Sequence, residues 1–206
     1  MLGFYDYTVV LTYISLLISM GGMMFSINGH FKLAVACLAL SGLCDMFDGK
    51  IARSKKNRTE AEKRFGIQID SLCDVICFGV APALLCYQMG MRGFTGIAIL
   101  MFYVLAGLIR LAYFNVTEEE RQEETDENRK YYQGLPITSM AIALPIVMML
   151  SPILKREFLL ALHVVMLAVG ILFITNFKLH KPKNVTLAIM VTIVAVAVLK
   201  VLRIGL

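Results

Sequence analysis

Four aspartates, Asp45, Asp48, Asp70 and Asp74, stand at the ends of two apolar stretches of this chain. They fall into the patterns Asp45-x-x-Asp48-Gly49-x-x-Ala52-Arg53 and Gly66-x-x-x-Asp70-x-x-x-Asp74. Steps of three and four residues place each pair on one face of a helix. A charged carboxylate at the centre of a membrane-spanning helix costs about 2.5 to 3.5 kcal/mol, so four without compensation would cost on the order of 10 kcal/mol. No marginally stable protein carries that without a use. Helix capping by Asp45 or Asp48 accounts for one pair at most. Carboxylates that cannot neutralise one another point to a metal, and hard oxygen donors select Mg2+, Mn2+ or Ca2+.

The elements that must position these groups are apolar. Hydrophobic residues make up 58% of the 206 positions and the mean hydropathy is +0.73. No stretch of domain length reads as soluble, so residues 1–206 are expected to form a single membrane-embedded domain. Runs at 8–27, 31–47, 66–90, 94–114, 136–152, 157–175 and 184–203 approach the roughly 20 residues needed to cross a bilayer. The expected fold class is an all-α, polytopic helical bundle of six to eight spans, with seven counted. Met1–Tyr7 carries Asp6 and no basic residue, unlike the flank of a cleavable signal peptide, so the first span is expected to be retained. Asp70 and Asp74 lie four and eight residues past Gly66, or roughly 6 and 12 Å inward, in a shallow, wet cavity.

Placing the 48–65 loop in the cytosol also puts there the loops near 115–135 and 176–183, and with them 14 of the 20 basic residues. The aspartates are then expected to face the cytoplasm. The net charge of +5 reflects this asymmetry, and the basic cluster from Lys50 to Arg64 suits lipid headgroups or phosphates; no nucleic-acid partner is expected. Cys37, Cys44, Cys73, Cys77 and Cys86 all lie in apolar runs without a CxxC pair and read as small buried residues. The acidic stretch Thr117–Arg129 reads as a solvated linker or short surface helix. His30, His163 and His180 lack the nearby partner that an active histidine needs.

Metals bridged by aspartates can clamp a pyrophosphate, neutralise its charge and polarise phosphorus toward attack, so a phosphoanhydride is the natural substrate. Gly49 lets backbone approach a phosphate or sugar, Ala52 keeps the next turn slim, and Arg53 offers a forked donor. Asp74 is the deepest carboxylate, bounded by Cys73, Val75 and Cys77. Its surroundings and a bound cation act on it in opposite directions, and a carboxylate so balanced can accept a proton from an attacking hydroxyl. No Ser, Cys or His is arranged as a nucleophile with its base.

Together these residues resemble the signature of the CDP-alcohol phosphatidyltransferase family, integral membrane enzymes that move a phosphatidyl group from CDP-diacylglycerol to an alcohol and release CMP. The resemblance implies a core of six helices and a homodimer. It implies that Asp45, Asp48 and Asp70 bind divalent metals with Asp74 at the same centre as base, and that Asp45, Gly49, Ala52 and Arg53 meet the nucleotide. Asp70-Ser71-Leu72-Cys73-Asp74-Val75-Ile76-Cys77-Phe78-Gly79-Val80-Ala81-Pro82-Ala83 is similar to the phosphatidylserine synthase branch, as are Arg110-Leu111-Ala112-Tyr113-Phe114-Asn115 and Gly134-Leu135-Pro136. Val75 stands where relatives that use glycerol phosphate carry a lysine, which favours L-serine as acceptor. The serine pocket would draw on Arg110, Asn115 and the backbone at Gly134, although a snorkelling interfacial role for Arg110 is open.

Some positions depart from the family pattern. The segment between Arg53 and Gly66 is about one helical turn longer than usual, and its Lys55, Lys56 and Arg58 are candidates for lipid phosphates. Cys77 stands in place of a serine and Tyr113 in place of an arginine. The first span lacks the familiar asparagine and offers Thr12 and Ser15 for the cytosine. Two other readings stay open: a sister enzyme with glycerol phosphate, inositol phosphate or another alcohol as acceptor, and a divalent cation transporter. The second has no need of Gly49, Ala52 and Arg53.

Overall fold

The computed structural model describes Gly3 and residues 7–55, 59–124, 131–180 and 184–203. Asp6, Lys56, Arg58, the end of the acidic stretch from Thr125 to Lys130, Lys181 and Lys183 lie outside the described residues, as do the side chains of Arg53 and His180.

Each of the seven apolar runs becomes a helical column. A short turn at Tyr7–Val9 leads into α1 (Val10–Ile27), and α2 (Phe31–Ser54) returns beside it. The third column is α3 (Glu60–Asp74), a π-helical segment Val75–Val80, and α4 (Ala81–Gln88). The fourth, α5 (Phe94–Glu124), is followed by β1 (Tyr131–Gln133) and a turn at Ile137–Ser139. The fifth is α6 (Met140–Met149) with the short α7 (Ser151–Leu154); α8 (Phe158–Ile174), β2 (Lys178–His180) and α9 (Asn184–Arg203) complete the order. Five columns are long and apolar enough to cross a membrane, as expected of a multi-pass membrane protein. The others are α2, which carries charge at its end, and Ile137–Met149, which is short.

Hydropathy places several helix ends wrongly, and for one reason. α2 runs to Ser54, not Phe47, and α3 begins at Glu60, not Gly66, because a helix entering water keeps its backbone bonds while its side chains turn charged. α3 starts at a capping box: Glu62 N–H donates to Thr59 Oγ1 (3.2 Å) and Thr59 N–H to the Glu62 carboxylate (2.8 Å). Lys55 Nζ also reaches Glu62, at 3.1 Å, so this lysine is tied to the opposite end of its own loop. α5 likewise continues from its span through Glu118 and Arg121, which pair at 2.6 Å, as far as Glu124.

The first helix is polar where it meets its neighbours and apolar where it faces outward. On α1 the buried residues are Thr12, Ser15, Ser19, Gly22 and Ser26, in steps of three and four, while Leu17, Met24 and Ile27 are exposed. Lipid tails are as apolar as leucine, so helices associate through small residues that let backbones approach and through hydroxyls that bond across. Ser15 and Ser41 do this between α1 and α2: their hydroxyls lie 2.7 Å apart, and each also bonds the other's carbonyl. Gly42 does it between α2 and α6, where a Cβ would stand 2.5 Å from that of Ala141.

The deeper core gathers Phe78, Tyr103, Met140, Leu144, Leu162 and Met166, all essentially without exposure. Pro82 has no N–H to offer the carbonyl of Phe78 four residues earlier, and the Tyr103 hydroxyl donates to that carbonyl. β1 and β2 pair antiparallel with Tyr131 opposite His180 and Gln133 opposite Lys178, a small ribbon at the ends of α5 and α8.

Candidate active site

α2 and α3 bring the two aspartate pairs face to face. One carboxylate oxygen from each of Asp45, Asp70 and Asp74 lies within 4.8 Å of the other two. Asp48 stands beside this trio, its carboxyl group within reach of that of Asp70, as Asp45's is of Asp74. Asp45, Asp70 and Asp74 are half-buried, so the cluster is accessible from outside; Asp48, 7% exposed, is the most enclosed. Three hard anionic donors at this separation, with a fourth beside them, fit divalent cations, which take oxygen ligands at roughly 2.0 to 2.6 Å and cancel the repulsion that otherwise opposes such a cluster. The thiols fit less well: Cys73 and Cys77 are buried, and all five cysteines are free.

The cluster is held by its neighbours on α1 and α5. Thr12 Oγ1 donates to Asp48 Oδ2 at 3.1 Å. Ser15, the other candidate for the cytosine, is engaged with Ser41 and lies 3.9 Å from Cys77 Sγ. The hydroxyls of α1 therefore meet residues of α2 and of the π-helical segment directly. Ser71, between Asp70 and Asp74 on the buried side of α3, donates to Asn115 Oδ1 on α5 at 2.8 Å. No local pattern reveals these contacts, because their partners lie 36 and 44 residues apart in sequence.

Of the remaining candidates, Gly49 and Ala52 follow Asp48 along α2 and are half-buried. Arg53 belongs to the last turn of the same helix. Arg110 is 8% exposed within α5, about 7.5 Å along the axis from Asn115, so it is enclosed by protein and not stretched along a lipid-facing surface. Gly134 is buried in the turn after β1, at φ +70°, with the Phe173 carbonyl 3.0 Å from where a Cβ would be. Its N–H donates to the Phe177 carbonyl at 2.8 Å, so this backbone group serves the turn itself. Among the histidines, His163 is tied through Nδ1 to the Leu159 carbonyl at 2.7 Å, a packing contact of its own helix.

The chain is thus, by class, a multi-pass helical membrane protein with four carboxylates converging from two neighbouring helices. A sequence model of the CDP-alcohol phosphatidyltransferases matches residues 8–199, and the chain belongs to this family. It is similar to a Saccharomyces cerevisiae protein named CDP-diacylglycerol–serine O-phosphatidyltransferase, with 38% identity over 125 residues that cover 58% of this chain and 44% of the relative. A Helicobacter pylori protein of the same name is 32% identical over 180 residues, 83% of this chain and 70% of that one. An archaetidylserine synthase of Methanothermobacter thermautotrophicus is 38% identical over 124 residues, 59% of this chain and 48% of the relative. The matches thus span under half of the yeast and Methanothermobacter proteins and a larger share of the Helicobacter one.

Proposed function

We propose that the protein transfers a phosphatidyl group from CDP-diacylglycerol to the hydroxyl of L-serine and releases CMP. The convergence of Asp45, Asp70 and Asp74 within 4.8 Å of one another, with Asp48 beside them, carries this reading. The acceptor rests on different support. The names of the relatives share serine, while the lipid changes from a diacylglycerol to an archaeal one, so serine is the better supported half of the pair.

In this reading Asp45, Asp48, Asp70 and Asp74 hold Mg2+ or Mn2+, with Ca2+ the other hard cation the donors suit. When bound there, divalent cations would supply charge neutralisation of the pyrophosphate and polarisation of its phosphorus. Asp45, Gly49, Ala52 and Arg53 receive the nucleotide, the glycine leaving room for a phosphate or sugar against the backbone. Asp74 takes the proton from the serine hydroxyl as that oxygen bonds to the lipid-side phosphorus. The bond from this phosphorus to the bridging oxygen breaks, and CMP departs with that oxygen. Arg110 offers a fixed cation to the serine carboxylate. Asn115, its amide oxygen taken by Ser71, keeps an NH2 group to donate. Gly134 contributes the shape of its turn and not its N–H. Positioning and charge neutralisation supply the acceleration, without a covalent intermediate. The excess of basic residues on the loops beside the aspartates supports a cytoplasmic site, with membrane lipids around the bundle. Membership of the family supports a homodimer as the working assembly.

Purified protein in mixed micelles, given labelled CDP-diacylglycerol and competing serine, glycerol 3-phosphate and inositol phosphate, tests this directly. The expected result is labelled phosphatidylserine and stoichiometric CMP, formed with serine and a divalent cation and abolished by EDTA. Product from another alcohol overturns the acceptor. Uptake of divalent cations into proteoliposomes with no consumption of the lipid overturns the reaction.

A further inference from the structure

Thr12 behaves unlike Thr192, within an apolar helix, and Thr175, at the end of one. A threonine in such a helix commonly returns its hydroxyl to the carbonyl four residues earlier. Thr175 does so with Ile171 (2.7 Å) and Thr192 with Ala188 (2.8 Å). Thr12, 5% exposed, instead donates across the helix interface to Oδ2 of Asp48, a carboxylate that is itself 7% exposed. Joining α1 to α2 does not require this bond, because Ser15 and Ser41 already tie the two helices together one turn further along α1.

A hydroxyl donating to one oxygen of a carboxylate restrains its rotation and fixes how the group faces its other partners. Asp48 reaches the Asp45–Asp70–Asp74 trio from the side, next to Asp70, so its orientation decides whether it joins the same cation site. We infer that Thr12 is a positioning residue for divalent-cation binding, holding the Asp48 carboxylate toward the cations shared with the other three aspartates. This rests on the proposed role of the four aspartates as metal ligands. It also replaces the cytosine as the partner of this residue.

The test uses the full chain in detergent and the metal alone. Melting temperature is followed against MgCl2 or MnCl2, without nucleotide, for the parent, Thr12→Val, Thr12→Ala and Thr12→Ser, with Asp45→Asn as reference. In EDTA the Thr12 variants should melt close to the parent. Thr12→Val and Thr12→Ala should then need roughly tenfold more metal for half of the stabilising shift, and Thr12→Ser should follow the parent, in keeping with the effect of hydrogen-bonding partners behind a metal ligand. The alanine variant serves where valine does not fold. Titrations of Val or Ala within about twofold of the parent, or a serine variant that titrates like valine, overturn the role of Thr12 and leave the metal site standing. A parent with no metal-dependent shift, or Asp45→Asn titrating like the parent, overturns the metal reading itself.

Discussion

The contact between α1 and α2 and the outer helix α9 solve the same problem of residence in lipid in opposite ways. On α1 the buried residues are small or hydroxylic, and Thr12 and Ser15 each meet a specific partner on α2. Among the described side chains of α9, only Ala197 and Val201 are buried, and Ile189, Ile193, Val196 and Leu199 face outward. A leucine moved from lipid to a helix interface gains little, whereas a hydroxyl or a missing Cβ allows only one arrangement. The aspartates are thus carried where position is strictly set, and α9 belongs to the part that tolerates change.

Substitution within the carboxylate cluster tests this contrast hardest. Asp74→Asn keeps size and removes the base, so turnover should fall by roughly 10²- to 10⁴-fold while CDP-diacylglycerol binding is largely spared. Asp45→Asn should weaken metal and nucleotide binding together, seen as higher half-saturating concentrations for both. Comparing kcat with KM for the two variants separates the roles, and full activity in Asp74→Asn would remove it as the base.

The next effect belongs to the helix crossing one turn away from Asp45. Gly42→Val places atoms where even a Cβ would stand 2.5 Å from that of Ala141, and a Cβ is fixed to its helix and cannot rotate aside. Overpacking of this kind costs about 1 to 3 kcal/mol, and α2 must shift relative to α6. The melting temperature in detergent should drop, and activity should drop with it, because α2 carries Asp45 and Asp48. A loss of stability with unchanged kcat would show that the site is insulated from this crossing.

The contrast also explains what was legible in the sequence. The four aspartates could be recognised because helical spacing alone pairs them, and their cost in an apolar chain demands a use. The seven columns could be counted because each apolar run is long. The true start of α3 was written in Thr59-x-x-Glu62, a capping pattern that hydropathy overlooks. The bonds from Thr12 to Asp48 and from Ser71 to Asn115 were not legible, since a serine or threonine in an apolar helix carries no mark of which distant residue it will meet. Nor was the ribbon of β1 and β2, whose strands of three residues are too short for an alternating pattern to register. Gly134 was visible as a special position, but its purpose, a left-handed turn against the end of α8, needed the backbone.

At the tolerant end of the comparison stands Leu199→Ala on α9. This side chain is 58% exposed toward the membrane, so shortening it trades contact with lipid for contact with lipid and opens no cavity. The expected change lies within about 0.5 kcal/mol, with a melting temperature and a specific activity close to those of the parent. A large loss would mean that the outward face of α9 is covered by protein in the working assembly. A concentration-dependent melting temperature in the parent would then accompany it, since a subunit contact stabilises by mass action and lipid does not.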